Sequence, residues 1–242
     1  MKYPKYKKEL EYSYVLGATL VFELLQNRAS DAIKIIYSSK LHQELLDKLM
    51  TVCHKYQVPL ELDDKNVNYL SDKENCYVIG VCKKTYLELN DSNHLLLVNP
   101  SNAGNLGTII RTAMGFNIKN IAVITPCVDL YDPKTIRASM GAIFRMNVSL
   151  YNSLEEYLRY HSKHTLYPFM LKAQVSLQEL KEVKKPYTLV FGNEATGLPD
   201  SYLEQGIPVV IKHTKQIDSL NLQTAVSVAV YEFTKIGGDY FD

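Results

Sequence analysis

The sequence has almost no surplus charge, few cysteines and no long apolar run, and each shortage excludes something. A formal net charge of +1 rules out a polycation that coats nucleic acid by bulk attraction, so any grip on phosphates has to come from locally clustered cations. Residues 1–90 hold thirteen Lys/Arg against twelve Asp/Glu and the remainder fourteen against fourteen, so neither part is a basic arm or an acidic tail. The four cysteines, Cys53, Cys76, Cys82 and Cys127, form no C-x-x-C pair, and no histidine pair stands near them at zinc-finger spacing. That pattern predicts reduced thiols in a cytosolic protein and gives no metal site. No stretch approaches the ~18 apolar residues of a membrane span, which predicts a soluble, cytoplasmic protein without a membrane partner. The nearest thing to a secretory leader, residues 14–25 after a basic start, is interrupted by Glu23 and runs on into an amphipathic pattern. It reads as a helix of the folded protein. No internal repeat or low-complexity segment is present.

Against these absences stand 46% apolar residues in a chain of 242, enough to build the core of one large domain or two small ones. The stretch 2–8 carries four lysines interleaved with Tyr3 and Tyr6 and reads as a solvated tail before it reads as an RNA contact. From residue 17 to 88 the pattern alternates: helix over 18–27, strand over 33–37, helix over 41–56, and short strands near 59–62 and 77–82. This is a small α/β unit of its own. The polar stretch 87–93, centred on Asn90-Asp91-Ser92-Asn93, marks a boundary, giving a first domain of residues 1–90 and a second of residues 94–242.

The second domain is organised around residues 95–113, LLLVNPSNAGNLGTIIRTA. Leu95, Leu96, Leu97 and Val98 are continuously apolar, as in a parallel strand covered on both faces, and Asn99-Pro100 ends the run. Leu106, Ile109, Ile110 and Ala113 then fall at helical spacing, while Arg111 projects from another face with no packing duty. A dinucleotide-binding turn fits only partly. The full G-x-G-x-x-G is absent, and the next strand, 121–124, ends in Thr-Pro rather than in an acid for a ribose. Further α/β alternation follows, with a helix over 153–160, strands near 167–172 and 187–191, and a helix over 220–233 whose Leu222, Val226, Ala229, Val230 and Phe233 form one apolar stripe.

The series Asn99-Pro100-Ser101-Asn102-Ala103-Gly104-Asn105, with Gly107 and Arg111, resembles the first motif of the SpoU class of SPOUT RNA methyltransferases. Phe191-Gly192-Asn193-Glu194-Ala195-Thr196-Gly197-Leu198 resembles the second, and Ser219-Leu220-Asn221 opening an apolar helix resembles the third. Three motifs in order are far more specific than any one. The resemblance implies a SPOUT-type parallel-sheet methyltransferase domain whose last segment threads a preceding loop into a deep trefoil knot, although ordinary chain-connection rules alone predict an unknotted sheet. It implies S-adenosylmethionine as cofactor, RNA as substrate with ribosomal RNA ahead of transfer RNA, a ribose 2′-hydroxyl as methyl acceptor, and a homodimer across which the active site is shared. The N-terminal unit resembles, in position and layout, the small RNA-binding domain that many SpoU-class enzymes carry. Arg137-Ala138-Ser139-Met140-Gly141-Ala142 resembles a stretch such enzymes place beside the active site.

Carried over to this sequence, Arg111, Asn102, Glu194, Ser219 and Asn221 fall at catalytic positions, and Gly192, Asn193, Ile211 and Leu220 at cofactor-binding ones. Freeing Arg111 to act as a base at neutral pH means lowering a pKa of ~12.5 by more than five units, about 7 kcal/mol. A phosphate clamp that orients the hydroxyl is the better role. Where many members have a Pro-containing, Gly-rich loop after the position of Ile211, this chain reads Lys212-His213-Thr214-Lys215-Gln216-Ile217-Asp218, offering two lysines and a histidine to RNA phosphates. Two rival functions remain: a catalytically inactive RNA-binding protein, and a nucleotide-dependent oxidoreductase on a doubly wound sheet.

Overall fold

The computed structural model describes residues 3–71 and 75–238, and the chain divides into two compact units. The first comprises Met1–Thr85 and Asp129–Arg145, the second Tyr86–Val128 and Met146–Asp242. Lys2 of the tail lies outside the described residues.

The elements of the first unit are β1 (Tyr12–Leu16), α1 (Ala18–Arg28), β2 (Ala32–Tyr37), α2 (Gln43–Tyr56), β3 (Leu60–Leu62), α3 (Asp64–Leu70) and β4 (Val78–Lys83). They build a mixed sheet of order β1-β4-β2-β3, with β4 antiparallel to both neighbours and β2 parallel to β3. The helix expected over 18–27 is α1, while residues 14–16 at the head of the apolar run 14–25 end a strand. Gly17 sits between them at φ 105°, a backbone value that L side chains rarely adopt, so the break is built on glycine. The tail is tethered through its tyrosines while Lys5, Lys7 and Lys8 stay exposed. Tyr3 and Tyr6 pack on the core of Tyr14, Ile36, Val67, Leu70, Ile79 and Val81, and the Tyr14 hydroxyl donates to the Pro4 carbonyl at 2.7 Å.

Residues 129–145 join this unit although they follow the first motif in sequence. Lys84 pairs with Asp129 at 2.9 Å with both side chains largely buried, and the Tyr6 hydroxyl donates to the same carboxylate. Arg145 grips Glu23 of α1 through Nε (2.9 Å) and Nη2 (2.8 Å). Gly141, at φ 80°, lies where a Cβ would come within 2.8 Å of the Glu23 Cβ. The stretch 137–142 is thus counted with the N-terminal unit rather than with the second motif-bearing one.

The second unit continues with β5 (His94–Val98), α4 (Ala103–Gly115) and β6 (Asn120–Ile124). The excursion into the first unit carries α5 (Pro133–Ala138), and then come β7 (Asn147–Tyr151), α6 (Leu154–Tyr160), β8 (Thr165–Pro168), β9 (Val175–Ser176), β10 (Tyr187–Phe191), β11 (Val209–Val210) and α7 (Leu222–Gly237). Five strands form an all-parallel sheet of order β7-β6-β5-β10-β8. β5, β6 and β10 are buried at every residue, which is why the run 95–98 shows no polar alternation. The polar stretch 87–93 belongs to this unit rather than acting as a free linker. Buried Asn120 donates to Asn90 Oδ1 (2.8 Å) and Ser92 Oγ (2.7 Å), so these side chains pin the approach to β5.

Candidate active site

From β5 the chain winds outward through β6 to β7, then crosses over to β8 and β10 on the other side, so the winding direction reverses between β5 and β10. Ligands of open α/β sheets gather at the carboxyl ends of strands at such a switch. Here the two strands leave side by side, with Phe191 in register with Leu97, and deliver the loops of the first and second motifs to the same place.

Glu194 joins those loops. Its Oε2 accepts from the Ser101 amide (3.0 Å) and the Ser101 hydroxyl (2.7 Å), and its Oε1 from the Asn102 amide (3.2 Å) and the Asn105 side-chain amide (3.3 Å). Burial pushes this carboxyl up, but donation from Ser101, from its own backbone and from Asn105 outweighs it, leaving the pKa below the ordinary carboxylate value. Asn193 adds a second tie, donating from Nδ2 to the Asn99 carbonyl at 2.7 Å while its Oδ1 accepts from the Ala195 amide at 2.8 Å. The Asn102 side chain caps α4 by accepting from the Asn105 amide at 3.0 Å, so one residue both starts the helix and receives the clamp.

Gly192 is required by this geometry. A Cβ there would fall 2.1 Å from the Gly197 carbonyl carbon, because the loop folds back on itself. Beside the fold-back lies a cavity of about 370 Å³, to which Gly192, Asn193, Glu194, Ile211, Ser219 and Leu220 all contribute. Phe169 stacks on Phe191 with centroids 4.5 Å apart and presents an apolar wall to it. Leu220 and Ser219 reach the cavity because α7 starts at Leu222 rather than at the expected residue 220, with Asn221 as N-cap accepting from the Gln223 amide at 3.1 Å.

The structure does not bring every expected residue to this cavity. Arg111 is exposed on α4 and, among the described residues, makes no side-chain hydrogen bond or ion pair. It lies eight residues beyond Ala103, roughly 12 Å along the axis. Asn221 and Asn102 serve as helix caps and do not line the cavity. In the loop after Ile211, Lys212 pairs with Glu179 at 2.8 Å, and His213 Nδ1 lies 2.9 Å from the Ile211 carbonyl. Ser101 and Asn105 were visible within the first motif but carried no assigned role, since their use depends on a carboxylate some ninety positions away. Lys172 and Asp200, paired at 2.7 Å on the cavity rim, have no signal in the sequence pattern.

The chain belongs to the SpoU rRNA methylase family, whose family model matches residues 92–231. An uncharacterized tRNA/rRNA methyltransferase of Synechocystis sp. is 33% identical over 141 residues, covering 57% of this chain and 51% of that one, so the chain spans about half the length of this relative. The 23S rRNA (guanosine(2553)-2′-O)-methyltransferase of Bacillus subtilis is 27% identical over 158 residues, covering 64% of this chain and 63% of its own. Among solved structures, an AdoMet-bound rRNA methyltransferase from Sinorhizobium meliloti aligns over 93% of this chain and 87% of its own with TM-score 0.79 at 23% identity, a likeness of fold.

Proposed function

We propose that the chain is an S-adenosylmethionine-dependent RNA methyltransferase that methylates a ribose 2′-hydroxyl, in ribosomal RNA before transfer RNA, as a cytoplasmic homodimer. The observation that carries this reading is the Glu194 clamp, which holds the first and second motifs together beside one cavity at the switch point of the sheet. Family membership and the 2′-O activity named for the Bacillus relative support the reaction type. The AdoMet held by the Sinorhizobium protein supports the cofactor.

The residues present fit that cofactor. A cavity of about 370 Å³ is within the range of small-ligand sites, and it pairs an aromatic wall with glycine-rich loop backbone that a ligand can approach closely. Gly192 and Asn193 would hold it from the second motif, and Ile211 and Leu220 would serve its adenine side. When bound, S-adenosylmethionine supplies a methyl group on a positively charged sulfur. Ser219 would orient groups at the reacting centre, Asn221 would act through its cap on α7, and Asn102 and Glu194 keep the loops fixed, because positioning is worth more here than base assistance.

Arg111 grips the phosphate beside the target ribose with two parallel N–H donations and aligns the hydroxyl. Since it stands away from the cavity of its own chain, it serves the cavity of the partner protomer. Val228 and Tyr231, 37% and 53% exposed on the helix that packs beside α4, offer the apolar surface such a dimer needs. The N-terminal unit recognises the folded RNA. The last segment threads a trefoil knot, a reading that rests on the family resemblance. A crystallographic chain trace without the threading would remove that part of the proposal.

The function is tested by incubating the protein with methyl-labelled S-adenosylmethionine and separate pools of ribosomal and transfer RNA, followed by alkaline hydrolysis and mass spectrometry. Label at one alkali-resistant phosphodiester of ribosomal RNA is expected, because a 2′-O-methyl blocks cleavage there. Label on a base contradicts the mechanism. Label on transfer RNA alone contradicts the substrate and spares the mechanism.

A further inference from the structure

Three histidines meet at the opposite edge of the parallel sheet from the motif loops. His94 opens β5, while His161 and His164 bracket the turn between α6 and β8; they are 0%, 7% and 8% exposed. With Asn99 just past the other end of the five-residue strand, the cluster stands roughly 16 Å from the candidate active site. One candidate ligand nitrogen from each ring falls within 4.8 Å of the others.

Hydrogen bonds fix which nitrogens are bare. His94 Nε2 faces the Asn90 carbonyl at 2.6 Å and must donate to it, so His94 Nδ1 accepts from the Tyr157 hydroxyl at 2.8 Å. The Tyr157 oxygen then accepts from Thr188 Oγ1 (2.6 Å), which in turn accepts from His164 Nδ1 (2.9 Å). This relay places the His164 proton on Nδ1 and leaves a lone pair on Nε2. Among the described residues that atom has no hydrogen-bond partner, and neither does His161 Nδ1, whose ring meets Tyr151 through Nε2 at 3.0 Å. His161 Nδ1 is a second acceptor when Nε2 donates to the Tyr151 oxygen, and two such nitrogens on rings more than nine-tenths buried call for a ligand.

We propose that His94, His161 and His164 form a site for one divalent ion of the zinc class, a structural pin joining the start of β5 to the α6–β8 turn. His161 supplies Nδ1, His164 supplies Nε2, and His94 supplies Nδ1 once the Tyr157 hydroxyl turns toward Thr188. The ring geometry suits this. A Zn–N bond of ~2.0–2.1 Å in a tetrahedral site sets imidazole centres about 5 Å apart; the observed separations are 4.7, 4.1 and 5.6 Å. Thr188, Tyr151 and Asn90 accept the outer hydrogen bonds that ligating histidines ordinarily donate, from His164 Nδ1, His161 Nε2 and His94 Nε2. Burial lowers the pKa of all three rings, that of His94 to about 3, which keeps them in the neutral form that binds metal. The Asp91 carboxylate acts on His161 and His164 and partly balances an incoming dication.

The test uses the full chain, stripped with a chelator and titrated with Zn²⁺ by calorimetry. One equivalent per chain, with a raised Tm, is expected. Co²⁺ in its place should give the intense visible bands of a tetrahedral site without the near-ultraviolet thiolate band that ligation by the cysteines would produce. The double variant His161→Gln with His164→Gln should lose at least ~100-fold in metal affinity while binding S-adenosylmethionine as the parent does. No saturable uptake, undiminished affinity in the double variant, or a thiolate band overturns the proposal. Should the double variant fail to fold, the cobalt spectrum of the parent decides, and a weak octahedral spectrum overturns it. These readouts do not involve methyl transfer, so they stand or fall apart from the proposed function.

Discussion

The two ends of the second unit's sheet solve opposite problems with polar side chains. At the carboxyl ends, Glu194 stays charged because four donors from the first motif converge on it in a water-accessible loop. At the amino ends, His94, His161 and His164 stay neutral because burial disfavours their charge. Strand β5 carries both, ending in the first motif and starting with His94. The contrast shows why sequence pattern reveals one end and hides the other. A loop that receives a ligand needs glycine, asparagine and a carboxylate in fixed order, whereas a dry side-chain cluster needs only residues that converge in space.

Variants can break this comparison, beginning with the largest effect. Arg111→Ala should abolish methyl transfer, on the order of a thousandfold or more in kcat/KM, as expected for an interaction realised only in the transition state. Affinity for S-adenosylmethionine should stay within a few fold by calorimetry; lost cofactor binding with residual turnover would show the role misassigned. Removing residues 1–85 alone should destabilise the remainder strongly, because Leu130, Ile136, Ile143 and Phe144, now buried, lose the unit they pack into. Replacing 129–145 with a short linker as well should restore a sharp thermal transition, and an equally sharp one without that replacement would contradict the division.

Glu194→Gln puts an amide N–H against groups that donate and should cost about 1.5–3 kcal/mol in urea unfolding, the scale of hydrogen bonds to a charged group. The pH dependence has a definite sign. With a folded pKa held below its ordinary 4.5, the carboxylate contributes in full above that value, and the contribution is lost as pH falls through the folded pKa. The variant should therefore lose that part of its acid sensitivity, and an unchanged acid limb would argue against the clamp. Smallest of all, Lys215→Ala should make the salt dependence of RNA binding shallower by about one unit of log slope. Lys212→Ala should do less, since Lys212 is already paired with Glu179; equal slopes for both variants and the parent would mean a merely solvated loop.

Much of the second unit was legible because burial on both faces leaves a mark: 95–98 and 187–191 are unbroken apolar runs, and each became a central strand. The motif residues Gly192, Asn193, Glu194, Ile211, Ser219 and Leu220 do share one cavity. Other features were illegible for physical reasons. Gly17 looked like one residue inside an apolar run because its φ is not written in the sequence. α3, reading DKNVNYL, has few apolar positions and forms largely on its Asp63 cap, which accepts from the Asn66 amide. β7, reading NVSLY, is a partly covered edge strand and lacks the continuous apolar signal of its neighbours. Residues 129–145 depart for the first unit through tertiary pairings such as Lys84 with Asp129 that no local pattern announces.

The central claim is that the clamped loops at the carboxyl ends form the S-adenosylmethionine site. Calorimetric titration of the intact chain and of Gly192→Val, with circular dichroism to check that both are folded, tests it most directly. A side chain at position 192 collides with the Gly197 backbone and should open the loop. One bound S-adenosylmethionine per chain in the parent, and affinity lowered at least ~100-fold in the folded variant, is the expected result. No binding by the parent, or undiminished binding by the variant, would contradict the account.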